Sequence, residues 1–275
     1  MRSDEAGPGL LERDAGAGWE VALPDGGTSL GGVQMAGFRD RVAVGFDKRA
    51  LPQPAVVVVI GLGDDAFTVE GGGGGRSLRS FAATLSPGPA RIRGRRVECI
   101  EMRLSPPAAY ALLGAFPSEL GRSVISLEDV WGRHEQLLRE QLTEGTTWQE
   151  RLALVDSFLL RRASLAPVMA PEVTAVWDHI VACRGQVRIS ELAASCGWSR
   201  KRLWSRFSAQ VGLSPKRAAM LVRFDQAARA LRAGQSATDV ALACGYADQP
   251  HLHRDVRDFA GCTPGALAGW ASSSG

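Results

Sequence analysis

Residues 188–215 read R-I-S-E-L-A-A-S-C-G-W-S-R-K-R-L-W-S-R-F-S-A-Q-V-G-L-S-P, and residues 236–264 read S-A-T-D-V-A-L-A-C-G-Y-A-D-Q-P-H-L-H-R-D-V-R-D-F-A-G-C-T-P. The two are one pattern written twice. Ile189, Leu192, Ala193 and Cys196 stand at i, i+3, i+4 and i+7, and Ala237, Val240, Ala241 and Cys244 repeat that spacing 48 residues later. Such spacing places the four on one face of a helix. Gly197 and Gly245 follow the cysteines, as a glycine should after a helix end. An aromatic comes next in each unit, Trp198 or Tyr246. One residue is then inserted, after which Leu203 matches Leu252, Phe207 matches Val256 and Pro215 matches Pro264. Each unit predicts helix, glycine turn, second helix. That is a helix-turn-helix, whose second helix can enter a DNA major groove.

Between the units, Met220, Phe224, Ala227, Ala228 and Leu231 are spaced for one long connecting helix, ended by Gly234. The charge pattern points to the same half of the chain. The 275 residues carry 32 Lys and Arg against 29 Asp and Glu, a net of +3. Residues 172–275 hold 13 cations and 8 acids, a net of +5, and residues 1–171 hold 19 and 21, a net of −2. Arg200, Lys201, Arg202, Arg206, Lys216 and Arg217 fall within 199–217, which has no acid. Clustered cations on a small helical domain suggest a nucleic-acid surface, and a solvated helix face is the plain alternative.

With these residues in view, 172–270 resembles the DNA-binding domain of AraC-type bacterial transcription regulators. The resemblance is carried by E-L-A-A-S-C-G-W-S-R-K-R-L-W-S-R-F, by G-L-S-P, and by G-Y-A-D-Q-P-H-L-H-R-D-V-R-D-F-A-G-C-T-P. It implies a cytoplasmic, non-enzymatic regulator of transcription without a cofactor. Its partners would be double-stranded promoter or operator DNA and RNA polymerase. A homodimer and an unidentified small-molecule effector are left open. Two recognition helices would read successive major-groove segments about one turn (~34 Å) apart.

Ser199 is suited to cap the first recognition helix. Arg200, Lys201 and Arg202 then occupy its first turn, where cations oppose the helix dipole at about 0.3–1 kcal/mol each. An anion docked there reverses the sign, and DNA phosphates or guanine edges could supply it. Leu203 and Phe207 should point to the core, leaving Lys201, Trp204 and Ser205 outward. The resemblance implies that these three reach base edges. For Trp204, contact with a thymine methyl and plain hydrophobic packing both remain open. Many relatives carry Arg at the position of Ser205; here the arginine is Arg206, a candidate phosphate contact. On the second recognition helix, Gln249, His253 and Arg254 are the outward candidates, with Gln suited to adenine and Arg to guanine. His251 is expected to be partly packed. Segment 248–260 has Arg254 and Arg257 against Asp248, Asp255 and Asp258, a net of −1. Asp255 and Asp258 would repel phosphates and are expected to face a partner such as RNA polymerase. The first motif is therefore expected to supply most affinity and the second to refine sequence choice.

Upstream the texture differs. Short apolar runs broken by Gly, Pro and Asp predict strands at Trp19–Leu23, Val33–Gly37, Arg41–Phe46, Ala55–Ile60, Phe67–Val69, Ala82–Ser86 and Val97–Leu104. The Gly71–Gly75 run lacks the Lys-Ser/Thr of a phosphate loop and reads as a flexible hairpin loop. Helices are expected over Ser105–Leu113, Ser126–Leu142 and Thr146–Arg162, the last two packing as a hairpin against the β-domain or serving as a dimerisation surface. In the second of them Val130, Leu137, Leu138 and Leu142 are the expected apolar stripe. P-D-G at 24–26 and P-x-x-A-x-x-L-L-G at 106–114 resemble an actinobacterial version of the sensor domains fused to this module. The fold class expected is α+β in two domains. The N-terminal domain is β-rich, a cupin- or jelly-roll-like half-barrel with trailing helices. The C-terminal domain is an all-α tandem helix-turn-helix. The divisions expected are a flexible tail at 1–18, a sensor or dimerisation domain at 19–162, a linker at 163–171 and the DNA-binding domain at 172–270.

Other classes are weaker on these residues. The longest apolar run, Ala55–Ile60, is far short of the ~20 residues of a membrane span. The N-terminus has no positive end followed by an apolar region, so no secretory signal is expected. Five cysteines without C-x-x-C spacing fit a reduced protein. A cupin-like enzyme would need a metal centre, but the N-terminal half has one histidine, His134, and no H-x-H. A DNA alkyl-repair protein would need a reactive cysteine; Cys99, in V-E-C-I-E-M, reads as core. A DNA-binding regulator without any small ligand remains the alternative within the same class. Trp19, Phe38, Phe46, Phe67 and Phe81 could line a pocket or form the strand core.

Overall fold

In a computed structural model of the chain, the described residues are 18–43, 45–63, 65–71, 74–85, 88–114 and 124–270. Ten strands come first: β1 (Trp19–Ala22), β2 (Val33–Asp40), β3 (Phe46–Ala50), β4 (Val56–Gly61), β5 (Phe67–Gly71), β6 (Gly74–Leu78), β7 (Ser80–Ala83), β8 (Ala90–Gly94), β9 (Glu98–Leu104) and, after the first helix, β10 (Val124–Ser126). The upstream helices are α1 (Pro106–Leu113), α2 (Leu127–Trp131), α3 (Arg133–Glu144) and α4 (Trp148–Ala163). The C-terminal helices are α5 (Pro171–Ala182), α6 (Ile189–Ser195), α7 (Arg200–Val211), α8 (Pro215–Arg232), α9 (Ala237–Ala243), α10 (Gln249–Ala260) and α11 (Pro264–Gly269). The expected tail lies almost wholly outside the described residues.

The strands form two antiparallel sheets, one of six in the order β1-β2-β9-β4-β7-β10 and one of four in the order β3-β8-β5-β6. All of β4, V-V-V-V-I-G, is buried. Its alternate residues serve two cores. Val57 and Val59 join Phe38, Phe46, Phe67, Phe81, Ile92 and Cys99 between the sheets. Val56, Val58 and Ile60 join Met35, Ile100, Met102 and Leu104 on the other face. That outer face is covered by helices, with Leu112, Trp131, Leu138, Leu142, Val155 and Leu159 packed on it. A continuous apolar run is the expected signature of a strand covered on both faces. The aromatic residues considered above as a pocket lining are packed core: Phe67 meets Phe81 edge-on at 5.7 Å, and Trp19 meets Phe46 at 6.1 Å.

Several strands differ from expectation for local reasons. β3 begins at Phe46 rather than Arg41. The Asp40 carboxylate accepts the N–H groups of Val42, Ala43 and Gly45, and this side-chain turn takes the chain out of strand geometry. Strands β6 and β8 carry no apolar signature in the sequence because each buries one apolar side chain, Leu78 or Ile92. Paired acids and bases on the open face, Arg91 with Asp47 and Arg93 with Glu70, line up across the four-stranded sheet. Of the glycine run expected as a loop, Gly71, Gly74 and Gly75 are strand residues of β5 and β6, with Gly71 opposite Gly74. Of the helix expected over Ser126–Leu142, the first residue is strand, and Gly132, at φ 56°, splits the remainder into α2 and α3. Leu137 is turned outward, so the buried stripe of α3 is Glu135, Leu138 and Leu142.

Helix α4 is locked to the six-stranded sheet. Thr147 and Glu150 close a capping box at its start. The Trp148 ring then lies against Gly37, where a Cβ would come within 2.4 Å of Cε3. Trp148 Nε1 donates to Glu20 at 3.1 Å, and the guanidinium carbons of Arg39 and Arg151 lie 5.4 and 5.3 Å from the ring centroid. Both arginines also donate to Glu98, at 2.7 and 2.5 Å.

Helix α4 leads into 163–171, the expected linker. Leu165 and Val168 are exposed there, but Met169 is buried and the Ala170 N–H donates to Gln210 Oε1 at 2.9 Å. The apolar cluster behind the sheet continues through Met169 into the C-terminal helices. A second contact joins the halves at the far end, where the Arg49 guanidinium of β3 lies 5.4 Å from the Trp270 ring.

Two measurements test this account. Gly37→Ala drives a methyl into the Trp148 ring, and thermal denaturation should show a loss of about 1–3 kcal/mol. Burial alone would raise the Glu98 pKa, but the hydrogen bonds from Arg39 and Arg151 outweigh it and hold the carboxyl below its usual range. Its contribution to stability is therefore present above the unfolded carboxylate pKa, about 4.3, and lost as pH falls through the lower folded value. In denaturant titrations, the stability gap between wild type and Glu98→Gln should be widest near neutral pH and shrink in acid.

Candidate nucleic-acid interface

The two helix-turn-helix units are α6–α7 and α9–α10. Their turns use Gly197 and Gly245 at φ 64° and 71°, a left-handed conformation that costs glycine least. Gly245 has a second constraint, since a Cβ would meet Gln186 Oε1 at 2.5 Å. Ser199 accepts from the Arg202 N–H at 3.2 Å, and Asp248 accepts from the His251 N–H at 2.7 Å, so each second helix starts on a side-chain cap. Gly212 and Gly261 end those helices, and Ser214-Pro215 and Thr263-Pro264 start the helices that follow. The repeat seen in sequence is thus a repeat of capping chemistry.

Leu203, Phe207 and Val211 of α7 and Leu252, Val256 and Phe259 of α10 are buried. Connector α8 contributes buried residues around much of its circumference, including Leu221, Val222, Phe224, Ala227, Ala228 and Leu231. At about 1.5 Å per residue, it is a rigid strut about 27 Å long between the units.

Each residue singled out for DNA contact is exposed. On the first unit these are Ser199, Arg200, Lys201, Arg202, Trp204, Ser205 and Arg206. Trp204 is 60% exposed, so the packing alternative fails. The Arg202 guanidinium lies 4.9 Å from the Trp198 ring, which holds that cation near the turn. On the second unit Gln249, His253 and Arg254 are exposed. Gln249 Nε2 donates to Thr238 Oγ1 at 3.1 Å, and Arg254 Nε to the Pro250 carbonyl at 3.4 Å. Arg257 is exposed as well and was not singled out from sequence.

Of the two acids of α10 expected to face a partner, Asp255 does not. Asp255 is 3% exposed and bonded to Arg223 of α8 at 3.0 Å. Arg223 also lies 4.5 Å from the Tyr246 ring and 3.5 Å from His251 Nε2, while Tyr246 and His251 meet edge-on at 5.2 Å. Burial, with Asp255 adding to it, pushes the Tyr246 hydroxyl pKa up. Asp258 is exposed but faces Arg217, 3.9 Å away, whose guanidinium lies 4.1 Å from Phe259. The connector thus holds one recognition-helix acid, Asp255, in a buried ion pair, and leaves Asp258 exposed at the edge of Arg217. The signal was available: Leu252, Asp255, Val256 and Phe259 are spaced i, i+3, i+4 and i+7, so Asp255 shares the buried face. With Asp255 withdrawn, α10 exposes Arg254 and Arg257 with Asp258, against four exposed cations on α7.

Cys99 is fully buried, and burial raises its thiol pKa well above the ordinary value, giving it the character of a small hydrophobe rather than a nucleophile. Among the described residues, no group of three or more His, Cys, Asp or Glu side chains could hold a metal ion. None of their helices is long and apolar enough to cross a membrane.

Residues 192–269 match the family model of a helix-turn-helix domain. The C-terminal region therefore carries a helix-turn-helix domain of that family. A probable AraC family transcriptional regulator from Rhodopseudomonas palustris is 30% identical over 37% of this chain and 98% of that one, with a TM-score of 0.34. A transcriptional regulator from Chromobacterium violaceum, described as having an AraC-type DNA-binding domain, is 24% identical over 38% of this chain and 96% of that one, with a TM-score of 0.35. ToxT from Vibrio cholerae is 9% identical over 88% of this chain and 99% of that one, with a TM-score of 0.47. No curated protein matches the sequence.

Removing Arg223 leaves Asp255 charged and buried without its partner. Arg223→Ala should therefore destabilise the protein by about 3–5 kcal/mol, read as a lowered denaturation midpoint.

Proposed function

We propose that this protein is a sequence-specific DNA-binding regulator of transcription in which α7 and α10 read successive major-groove segments of promoter or operator DNA. One observation carries the reading. Two capped helix-turn-helix units, joined by a buried connector, leave cations and amide side chains exposed along the helices that would enter the grooves. The cations at the start of α7 work against their own helix dipole unless an anion docks there. Arg200, Lys201, Arg202 and Arg206 serve phosphates or guanine edges. Trp204 and Ser205 lie beside the groove floor. Gln249, His253 and Arg254 select bases from the second unit. RNA polymerase is the second partner of the reader, met through exposed groups such as Asp258. The β-rich half is a sensing or pairing module for the reader, in a single chain or in a homodimer.

Selection from a random duplex library with the full-length protein tests this. Enrichment of a two-part site, its halves about one helical turn apart, is expected. Failure to enrich any sequence at low salt would overturn the reading. Arg200→Ala should weaken binding to all sequences and reduce the salt-dependence slope by about 1. Gln249→Ala should relax preference at one position by about 1–3 kcal/mol. Because α7 exposes more cations than α10, joint removal of Arg200, Lys201 and Arg202 should cost more affinity than joint removal of Arg254 and Arg257, as competitive titrations would show.

A further inference from the structure

The β-rich half touches both reading units, at two separate places. At the first unit Met169 is buried and the Ala170 N–H donates to Gln210 Oε1 of α7 at 2.9 Å. Helix α1 also lies against α7, with Leu112, Leu113, Phe207 and Val211 in one apolar cluster. At the second unit, the residue that ends α10 meets the residue before β8: a Cβ at Gly261 would lie 3.6 Å from Pro89 Cγ. Beside them the Arg49 guanidinium carbon stands 5.4 Å from the Trp270 ring centroid. Burial raises the pKa of the Cys262 thiol, and the positive charge of Arg49 works against that rise. Arg49 therefore acts on residues at both ends of α11.

Arg49 is left to the ring by its neighbours. Asp47, two residues away on the same face of β3, is taken by Arg91 through two hydrogen bonds of 2.7 Å. The segment that joins the halves gives less direction, since Leu165 and Val168 are exposed. Connector α8 ties the two units along one axis. A helix of that length fixes a distance, yet long helices bend. A support off that axis closes a triangle of first unit, second unit and β-rich half. Such a frame sets the angle between α7 and α10 as well as their separation.

We propose that Arg49 and Trp270 are positioning residues for DNA reading, through which the β-rich half braces the second unit and sets the angle of α10 relative to α7. This rests on the two-groove reading above and adds the kind of duplex selected, one whose half-sites keep a single phase. One base pair more or less between the halves turns the second by about 35°. A braced reader does not follow that turn.

The test compares the two-part site selected by the full-length protein with versions that have one base pair inserted or removed between the halves. The wild type should prefer the parent site by about tenfold or more. Arg49 is exposed, so its removal spares the core. Arg49→Ala should shrink the preference by about threefold, the scale of one exposed cation–ring contact. Trp270→Ala should do the same, and the double variant should add nothing further. Arg49→Lys, which keeps a cation at the ring, should retain most of the preference. Arg93→Ala, on the same open face but paired with Glu70, should retain all of it. A merely structural loss would weaken every spacing alike. Hydrogen exchange without DNA is the second arm, and the amides of residues 261–270 should exchange faster in Arg49→Ala. The proposal is overturned by an unchanged preference in Arg49→Ala, by additive effects of the two substitutions, or by unchanged exchange. If no site is selected at all, the two-groove reading fails, and the exchange arm still decides the brace.

Discussion

The six-stranded sheet is covered on both faces, and the rest of the architecture follows from that constraint. One face needs a second sheet, which supplies Phe46, Phe67 and Ile92. The other needs helices, and α1 to α4 provide them. The buried apolar surface on this side runs on into the C-terminal helices rather than stopping at a boundary. The helix-turn-helix units are consequently mounted on the sheet's helical cover. Burial on this scale is the main favourable term in folding, and it is non-directional. Direction comes from polar fasteners such as Trp148 with Glu20 and the two arginines on Glu98.

Connector α8 plays the equivalent part in the C-terminal region. It packs against both units and reaches into the second with Arg217 and Arg223. These arginines carry the charge logic of the interface. Pairing Asp255 from behind removes one negative charge from the outward face of α10, while Asp258 stays exposed. The two readers are therefore less unequal than their sequences suggest, while α7 keeps the larger outward charge. A buried ion pair at this place fixes the pose of α10 on its support, since breaking it would strand a charge.

The groove beside Arg162 lies where α1, α3 and α4 meet. It sits outside the packed space between the sheets, where Phe38, Phe67 and Phe81 leave a filled core. Its walls include Leu165 and Pro167, which follow α4.

By itself the sequence determined the repeat, both helix pairs, the connector and the outward residues of α7. Those features rest on local rules of helical spacing, caps and left-handed glycines, which act within a few residues. It also marked β4, since a run of valines has no other comfortable place. Tertiary structure decided what local rules do not reach. Strands β6 and β8 exist because neighbours complete their ladders, not because their own residues are apolar. Gly132 ends α2, yet Val124–Ser126 is a strand only because β7 lies beside it. Asp255 lay on the buried face by spacing, but its partner, 32 residues upstream on another helix, appears only once α8 and α10 pack. Arg162 and Trp131 meet on the Leu112 carbonyl in the same way. An interaction between side chains far apart in the chain has no signature in either one alone, because folding is what brings them within reach.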